Sequence, residues 1–220
     1  LSGFDLIYIV ILLLLSPIGL IKAIFSSEFR SNLIARLFPL RQKDLLPISK
    51  SKEKRIWVHA ASIGEVNLAI KVINAWLKVE KRVEFVLSTN TYRSLRHAKK
   101  QTSIRSFIAP LDLSFNIKHF SKALNLQHLI LIETEIWPNM IRVMSKKGTV
   151  TIINGRLSER YFRRYHNLKF ALKTTLSRIS HILVRDNESR QRFKLLGVPE
   201  RKLTHIGNLK FDYPVPVEEK

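Results

Sequence analysis

Short apolar runs alternate with amphipathic stretches from about residue 55 onward. The six predicted strands are Ile56–Ala60, Val83–Ser88, Ser106–Ala109, Leu129–Ile132, Val150–Ile153 and Ile182–Val184. Apolar residues recur at helical spacing between and after them, in Val66–Leu77, Ser94–Lys100, Asn116–Leu124, Asn139–Lys146, Leu168–Ile179 and Glu188–Leu196. This alternation predicts one α/β domain, a doubly wound, Rossmann-like parallel sheet with helices on both faces.

The N-terminal residues follow a different pattern. Leu6 to Ile21 is a run of sixteen residues without a charge, followed by basic residues from Lys22 onward. We predict a membrane-anchor helix over residues 1–25, although the run is shorter than the roughly 20 residues that span a bilayer. A shallow anchor also fits, and a buried core helix is the alternative. The basic residues that follow predict a cytoplasmic location for the rest of the chain.

Residues 26–54 are predicted to form a basic amphipathic segment and then a polar linker. Apolar residues such as Phe29 and Ile34 are interspersed there with Arg30 and Arg36. Such a segment lies on a membrane surface or packs against the domain.

Charge and composition narrow the classes of function. The net charge of +21 and pI near 10.5 indicate an anionic partner, such as nucleic acid, a membrane face or a phosphorylated substrate. The absence of cysteine excludes disulfides, thiolate zinc sites and a cysteine nucleophile. Glycine-rich nucleotide-binding signatures are also absent. The basic residues lack the interleaved aromatics of a stacking platform, which disfavours nucleic acid.

Polar side chains follow each of the first five predicted strands. They are Ser62 and Glu65, then Ser88 to Thr91, Asp112, Glu133 and Glu135, and finally Asn154, Arg156 and Ser158. The crevice outside the carboxyl ends of parallel strands is where open α/β sheets bind ligands. We therefore expect these side chains to line one edge of the sheet.

Glu65 stands at a transition from strand to helix. The small residues from Ala60 to Gly64 let the backbone approach a ligand closely, and Glu65 opens the helix that follows. Glu65 is either a functional carboxylate or only a favourable charge at the positive end of a helix dipole.

The other polar positions also have structural interpretations. Thr91 is a possible helix cap, and Asn154 is part of an Asn-Gly turn dipeptide. Burial of Glu133 and Glu135 beside Trp137 is costly unless they are paired or functional, and Arg156 is a candidate partner. Arg156 and the basic residues after it either bind phosphate or form a solvated face.

Four sequence blocks together resemble one enzyme family. They are residues 59–65 (HAASIGE), 133–139 (ETEIWPN), 154–158 (NGRLS) and 207–212 (GNLKFD). In this order they resemble the 3-deoxy-D-manno-octulosonic acid (Kdo) transferases of lipopolysaccharide assembly. Ser94 departs from the family pattern, in which a glycine is usual after the second strand.

The resemblance implies an inverting glycosyltransferase of the two-domain GT-B fold, which moves Kdo from CMP-Kdo to a phosphorylated lipid A precursor. It places the enzyme at the inner membrane, with the catalytic part facing the cytoplasm, and implies no metal or cofactor. Glu65 corresponds to the catalytic base, which deprotonates the glucosamine 6-hydroxyl of the acceptor. The predicted substrate-binding residues are Ser62, Gly64, Thr89, Thr91, Glu133, Glu135, Asn154 and Arg156.

The resemblance also predicts the division of the chain. Residues 55–212 correspond to the acceptor-binding domain, and residues 213–220 to the start of an interdomain linker. The donor-binding C-terminal half is missing from this sequence, so we expect the chain to be inactive alone and to need that half as a partner. The alternative function is a non-catalytic, membrane-bound module that binds anionic lipid.

Overall fold

Seven parallel strands form one sheet. The computed structural model describes residues 3–38, 40 and 54–209. The strands are β1 (Lys54–His59), β2 (Val83–Thr89), β3 (Arg105–Ile108), β4 (His128–Ile132), β5 (Val150–Gly155), β6 (His181–Val184) and β7 (Leu203–His205). Their order in the sheet is β3-β2-β1-β4-β5-β6-β7. Strands β2 and β3 are added on one side of β1 and strands β4 to β7 on the other, so the switch point of the topology lies between β1 and β4. The prediction of a Rossmann-like parallel α/β sheet is confirmed.

Nine α-helices lie within the described ranges. They are α1 (Gly3–Phe25), α2 (Ser27–Leu37), α3 (Ile63–Val79), α4 (Tyr92–Gln101), α5 (Ser114–Ala123), α6 (Pro138–Met144), α7 (Glu159–Asn167), α8 (Lys169–Ser177) and α9 (Asn187–Leu195). The six predicted strands and the six predicted helices are all present. Strand β7 and helix α7 were not predicted, because β7 has three residues and α7 has no fully buried side chain.

Alternate residues along the strands supply two separate cores, since successive side chains point to opposite faces of a sheet. Ile56 and Val58 of β1 pack with α3 and α4, whereas Trp57 between them packs with α5. The second face also carries α6, α8 and α9. Helices therefore lie on both faces, as predicted.

A cavity begins near the amino ends of β4, β5 and β6, and none of the predicted site residues lines it. Its volume is about 940 Å³, and Ile56, Ile130, Ile153 and Leu183 contribute to its lining. It is an apolar groove on the face that carries α3 and α4. The polar residues predicted to be functional lie instead at the opposite, carboxyl edge of the sheet.

Helix α1 begins inside the domain. Asp5 is fully buried, and its carboxylate accepts hydrogen bonds from the Ser114 backbone N–H at 2.8 Å and from the Asn139 side-chain amide at 3.1 Å. Farther along α1, apolar side chains such as Leu13 and Leu14 are exposed. Among the described residues, none of the helices has the length and apolar character needed to cross a membrane, so the predicted anchor is not confirmed.

The basic amphipathic segment packs against the domain. In α2, the Asn32 side chain accepts a hydrogen bond from Tyr92 N at the start of α4. The Arg36 carbonyl accepts one from Leu111 N, in the loop after β3. Most of the predicted linker, residues 41–53, lies outside the described part of the chain. Its last residue, Lys54, already belongs to β1. Residues 213–220, the predicted start of the interdomain linker, also lie outside the described part.

We predict that Asp5→Ala lowers the free energy of unfolding by about 3 kcal/mol, because it leaves buried donors of Ser114 and Asn139 without their acceptor. Urea denaturation measures this effect. Glu28→Ala is the matched control, since it removes the first-turn acid of α2 at an exposed position. Equal, small losses in both variants would contradict the docking of α1.

Candidate active site

A cleft at the carboxyl edge of the sheet gathers acidic and aromatic side chains. Its volume is about 550 Å³. The lining residues are Tyr8, Glu65, Glu133, Thr134, Glu135, Ile136, Trp137, Arg156, Ser158, Tyr161 and Tyr165. The cleft thus brings together four of the predicted site residues: Glu65, Glu133, Glu135 and Arg156. Carboxylates and aromatic faces together suit a polyhydroxylated ligand.

The Glu65 carboxylate is held at the start of α3. Its Oε1 accepts a hydrogen bond from Ser62 Oγ at 2.7 Å, and its Oε2 accepts one from Ala61 N at 2.9 Å. Ser62 is the N-cap residue, and its Oγ accepts from Glu65 N in return. This arrangement resembles a capping box, in which both side chains satisfy backbone groups at the helix start. Glu65 therefore has a structural role and also lines the cleft.

Glu133 occupies an unusual backbone conformation at the end of β4. Its φ of 60° lies in the left-handed region, which costs a residue with a Cβ some energy. Its N–H donates to Ile153 O at 2.9 Å, so that pairing with β5 continues to this point. Backbone strain of this kind is often found at functional sites.

The environment of Glu135 combines burial with opposing charges. Burial and the negative charge of Glu65 raise the pKa of Glu135, while the Trp137 indole N–H and the Arg36 guanidinium lower it. The indole donates to Glu135 Oε2 at 2.9 Å. Since the charge of Glu65 acts on Glu135, the cleft is a coupled group of carboxylates.

Arg36 reaches this group from α2. Its guanidinium carbon lies 5.7 Å from the centre of the Trp137 ring. Burial lowers the pKa of Arg36, whereas the charges of Asp112 and Glu135 raise it. Arg36 is therefore a partly buried cation that offsets the repulsion among carboxylates near Trp137.

The other predicted site residues are not among those that line the cleft. Ser62 orients Glu65, and a Cβ on Gly64 would meet no atom within 4 Å. Thr89 Oγ1 donates a hydrogen bond to Ala61 O at 3.2 Å and so links the end of β2 to the loop before α3. Thr91 caps α4 by accepting from Ser94 N, which places Ser94 in an ordinary first helical turn.

Asn154 is fully buried at the end of β5. Its φ is 58°, and its Oδ1 accepts a hydrogen bond from Leu209 N at 3.3 Å. Asn154 therefore joins two of the sequence blocks, residues 154–158 and 207–212. The substrate-binding roles of Ser62, Gly64, Thr89, Thr91 and Asn154 stay predictions.

Sequence reasoning missed the aromatic wall of the cleft. Tyr161 and Tyr165 stand four residues apart on α7, directly after the Arg156 loop, and that spacing was the available signal. Tyr8 was hidden in an apolar run, and Arg36 in the amphipathic segment.

His59 ends β1 behind the cleft and is fully buried. Burial, together with the positive charge of Arg36, lowers the pKa of His59 to about 3. Its Nδ1 lies 2.9 Å from Ser88 Oγ. The same oxygen accepts a hydrogen bond from the indole N–H of Trp57 at 2.7 Å. The ring meets Trp137 edge-on, with centroids 6.3 Å apart. His59 is therefore a neutral packing residue at neutral pH.

The fold and cleft define a parallel α/β protein whose site lies at the strand carboxyl ends. A family model described as 3-deoxy-D-manno-octulosonic-acid transferase (kdotransferase) matches residues 35–213. The chain belongs to this family of glycosyltransferases.

Relatives agree with the family assignment. The chain is 35% identical over 160 residues to a 3-deoxy-D-manno-octulosonic acid transferase of Haemophilus influenzae, covering 71% of this chain and 38% of the relative. It is 32% identical over 164 residues to a bifunctional glycosyltransferase/methyltransferase of Fusobacterium nucleatum, covering 72% and 26%. A transferase of Chlamydia pneumoniae matches at 28% identity over 94% of this chain and 47% of its own length. The chain thus spans less than half the length of these relatives.

A solved structure supports the fold alone. The UDP-GlcNAc 2-epimerase of Methanocaldococcus jannaschii matches with a TM-score of 0.52 and 13% sequence identity. The match covers 70% of this chain and 45% of the epimerase chain.

We predict that the neutral, buried state of His59 makes the free energy of unfolding fall as the pH is lowered. The unfolded imidazole gains a proton near pH 6.5, but the folded one does so only near pH 3, so this group lowers the free energy of unfolding by about 1.4 kcal/mol per pH unit within that window. Urea denaturation from pH 7 to pH 4 measures the slope.

His59→Asn keeps a polar atom toward Ser88 but cannot titrate, so the variant should lose this part of the slope. His119→Asn, on the exposed surface of α5, is the control. An unchanged slope in His59→Asn would show that His59 is not the group responsible.

Proposed function

We propose that this chain is the acceptor-binding half of a Kdo transferase that moves Kdo from CMP-Kdo to a lipid A precursor. The observation that carries the proposal is the position of Glu65, whose carboxylate is oriented by Ser62 and Ala61 and lines a cleft shared with Glu133 and Glu135. The family match and the relatives named above supply the reaction class.

Glu65 acts as general base in this proposal. The carboxylate oxygens accept hydrogen bonds from Ser62 and Ala61, which hold the group at the cleft, where a carboxylate can accept the proton of a sugar hydroxyl. A hydroxyl is a poor nucleophile until its proton is withdrawn. The acceptor oxygen attacks the anomeric carbon of Kdo, the proton passes to Glu65, and the bond to CMP breaks.

The remaining cleft residues bind the acceptor. Glu133 and Glu135 accept hydrogen bonds from sugar hydroxyls, and Trp137 and the tyrosines offer ring faces to the sugar. Arg156 is exposed at the cleft and contacts an acceptor phosphate or the Kdo carboxylate. A GT-B site lies between two domains, so CMP-Kdo binding falls to the C-terminal half, and this chain alone is inactive.

The proposed location is the inner membrane, with the cleft facing the cytoplasm. The exposed apolar side chains of α1 and the net charge of +21 support contact with an anionic surface.

Transfer is proposed to need no metal or cofactor. Incubation with EDTA should leave transfer unchanged, and a loss that Mg²⁺ reverses would contradict this part of the proposal.

We predict that Glu65→Gln lowers Kdo transfer by about 100-fold to 10,000-fold, because glutamine is not a base. Glutamine also suits the capping box, so the variant keeps the helix start and separates catalysis from folding. Transfer is measured with CMP-Kdo and a lipid A precursor, using this chain joined to the C-terminal half of the Haemophilus influenzae relative.

Glu188→Gln is the matched control, because Glu188 is an exposed first-turn acid on α9. Near-normal turnover in Glu65→Gln would refute the assigned base. The chain alone should show no transfer.

The alternative, a non-catalytic module that binds anionic lipid, predicts no transfer in any of these proteins. It also predicts that Glu65→Gln leaves lipid binding unchanged, so the joined protein distinguishes the two functions.

A further inference from the structure

The corner between α7 and α8 exposes apolar side chains. Phe170 is 83% exposed and Leu168 is 56% exposed. The ammonium group of Lys169 lies 5.6 Å from the centre of the Phe170 ring. Single exposed apolar residues are common on protein surfaces, but two of them beside a cation form an amphipathic tip.

The chain around this corner is strongly basic. From Arg160 to Arg178 it has six basic side chains and no acidic one. They are Arg160, Arg163, Arg164, Lys169, Lys173 and Arg178. Within the described part of the chain, Arg163 alone among them forms an ion pair, with Glu159 at 3.0 Å. The corner therefore offers positive charge that the domain itself does not neutralise.

The corner and α1 border the same cleft. Tyr161 and Tyr165 of α7 and Tyr8 of α1 all line it. Beyond Tyr8, α1 exposes apolar side chains, including Val10, Leu13 and Leu14. Two surfaces with apolar side chains thus flank one opening.

We propose that the α7–α8 corner is a second contact with an anionic bilayer, separate from α1. Phe170 and Leu168 enter the interfacial layer, where aromatic and apolar side chains gain from leaving water. Lys169, Lys173 and Arg164 remain at the anionic headgroups, where each basic residue contributes to binding. Charge complementarity therefore selects an anionic lipid surface as the partner.

Contact at both places holds the cleft at the level of the headgroups, where the sugar of a lipid acceptor lies. This last consequence rests on the proposed function, whereas the bilayer contact itself does not. A contact through α1 alone would leave the corner in water.

The experiment measures insertion of the corner directly. The chain has no cysteine, so a single cysteine carries one environment-sensitive fluorophore. Phe170→Cys reports the corner, and Val79→Cys is the control, because Val79 is 89% exposed at the end of α3. Each labelled chain is mixed with vesicles of phosphatidylglycerol and phosphatidylcholine, or of phosphatidylcholine alone, some with brominated acyl chains.

We expect the label at position 170 to shift to the blue and to be quenched by brominated lipid in the anionic vesicles only. The label at position 79 should remain unchanged. A label at 170 that stays in water while the chain sediments with the vesicles would overturn the proposal. An equal blue shift with a single-stranded RNA in place of vesicles would overturn the assignment to lipid.

A second measurement tests the residues without a label. Leu168→Ser combined with Phe170→Ser should weaken sedimentation with anionic vesicles by about tenfold, whereas Val79→Ser should not change it. Unchanged binding of the double variant would contradict the proposal.

If the double variant binds weakly but the joined protein still transfers Kdo to an acceptor in detergent, both proposals stand. If position 170 inserts and no transfer occurs, the proposed function alone fails.

Discussion

The buried carboxylate of Asp112 holds together the part of the molecule on which the cleft depends. Its two oxygens accept the backbone N–H groups of Asn139 at 3.0 Å and Met140 at 2.7 Å, at the start of α6. Tyr8 also donates to it, while burial raises the pKa of Asp112 to about 6. Because α6 directly follows the Glu133–Trp137 loop, fixing the start of α6 fixes one end of that loop. Pairing of Glu133 N with Ile153 O fixes the other end.

Three carboxylates in one cleft repel one another, and the surrounding residues offset that repulsion. The Trp137 indole binds Glu135, and Arg36 stands over the same indole. Glu65 receives two hydrogen bonds from its own helix start. The burial that makes Glu135 harder to ionise also weakens screening by water, so the charges in the cleft act on one another and on a ligand more strongly.

Glu65 shows that a structural and a functional interpretation of one residue need not compete. The same carboxylate completes the helix cap and lines the cleft. A cap holds the side chain in one rotamer, and a base must be held in place to meet its substrate. The cap therefore holds in place the carboxylate that we propose as the base.

The sequence by itself determined the parallel α/β sheet, its six longer strands and the polar residues at their carboxyl ends, because these follow from local hydrophobic periodicity. It also placed Glu65, Glu133, Glu135 and Arg156 at one edge. Only the tertiary structure decided that α1 and α2 complete the site, through contacts such as Asp5 with Asn139 and Arg36 with Trp137. These partners lie more than 100 residues apart along the chain, and no local pattern encodes which side chain a distant helix will meet once the core packs.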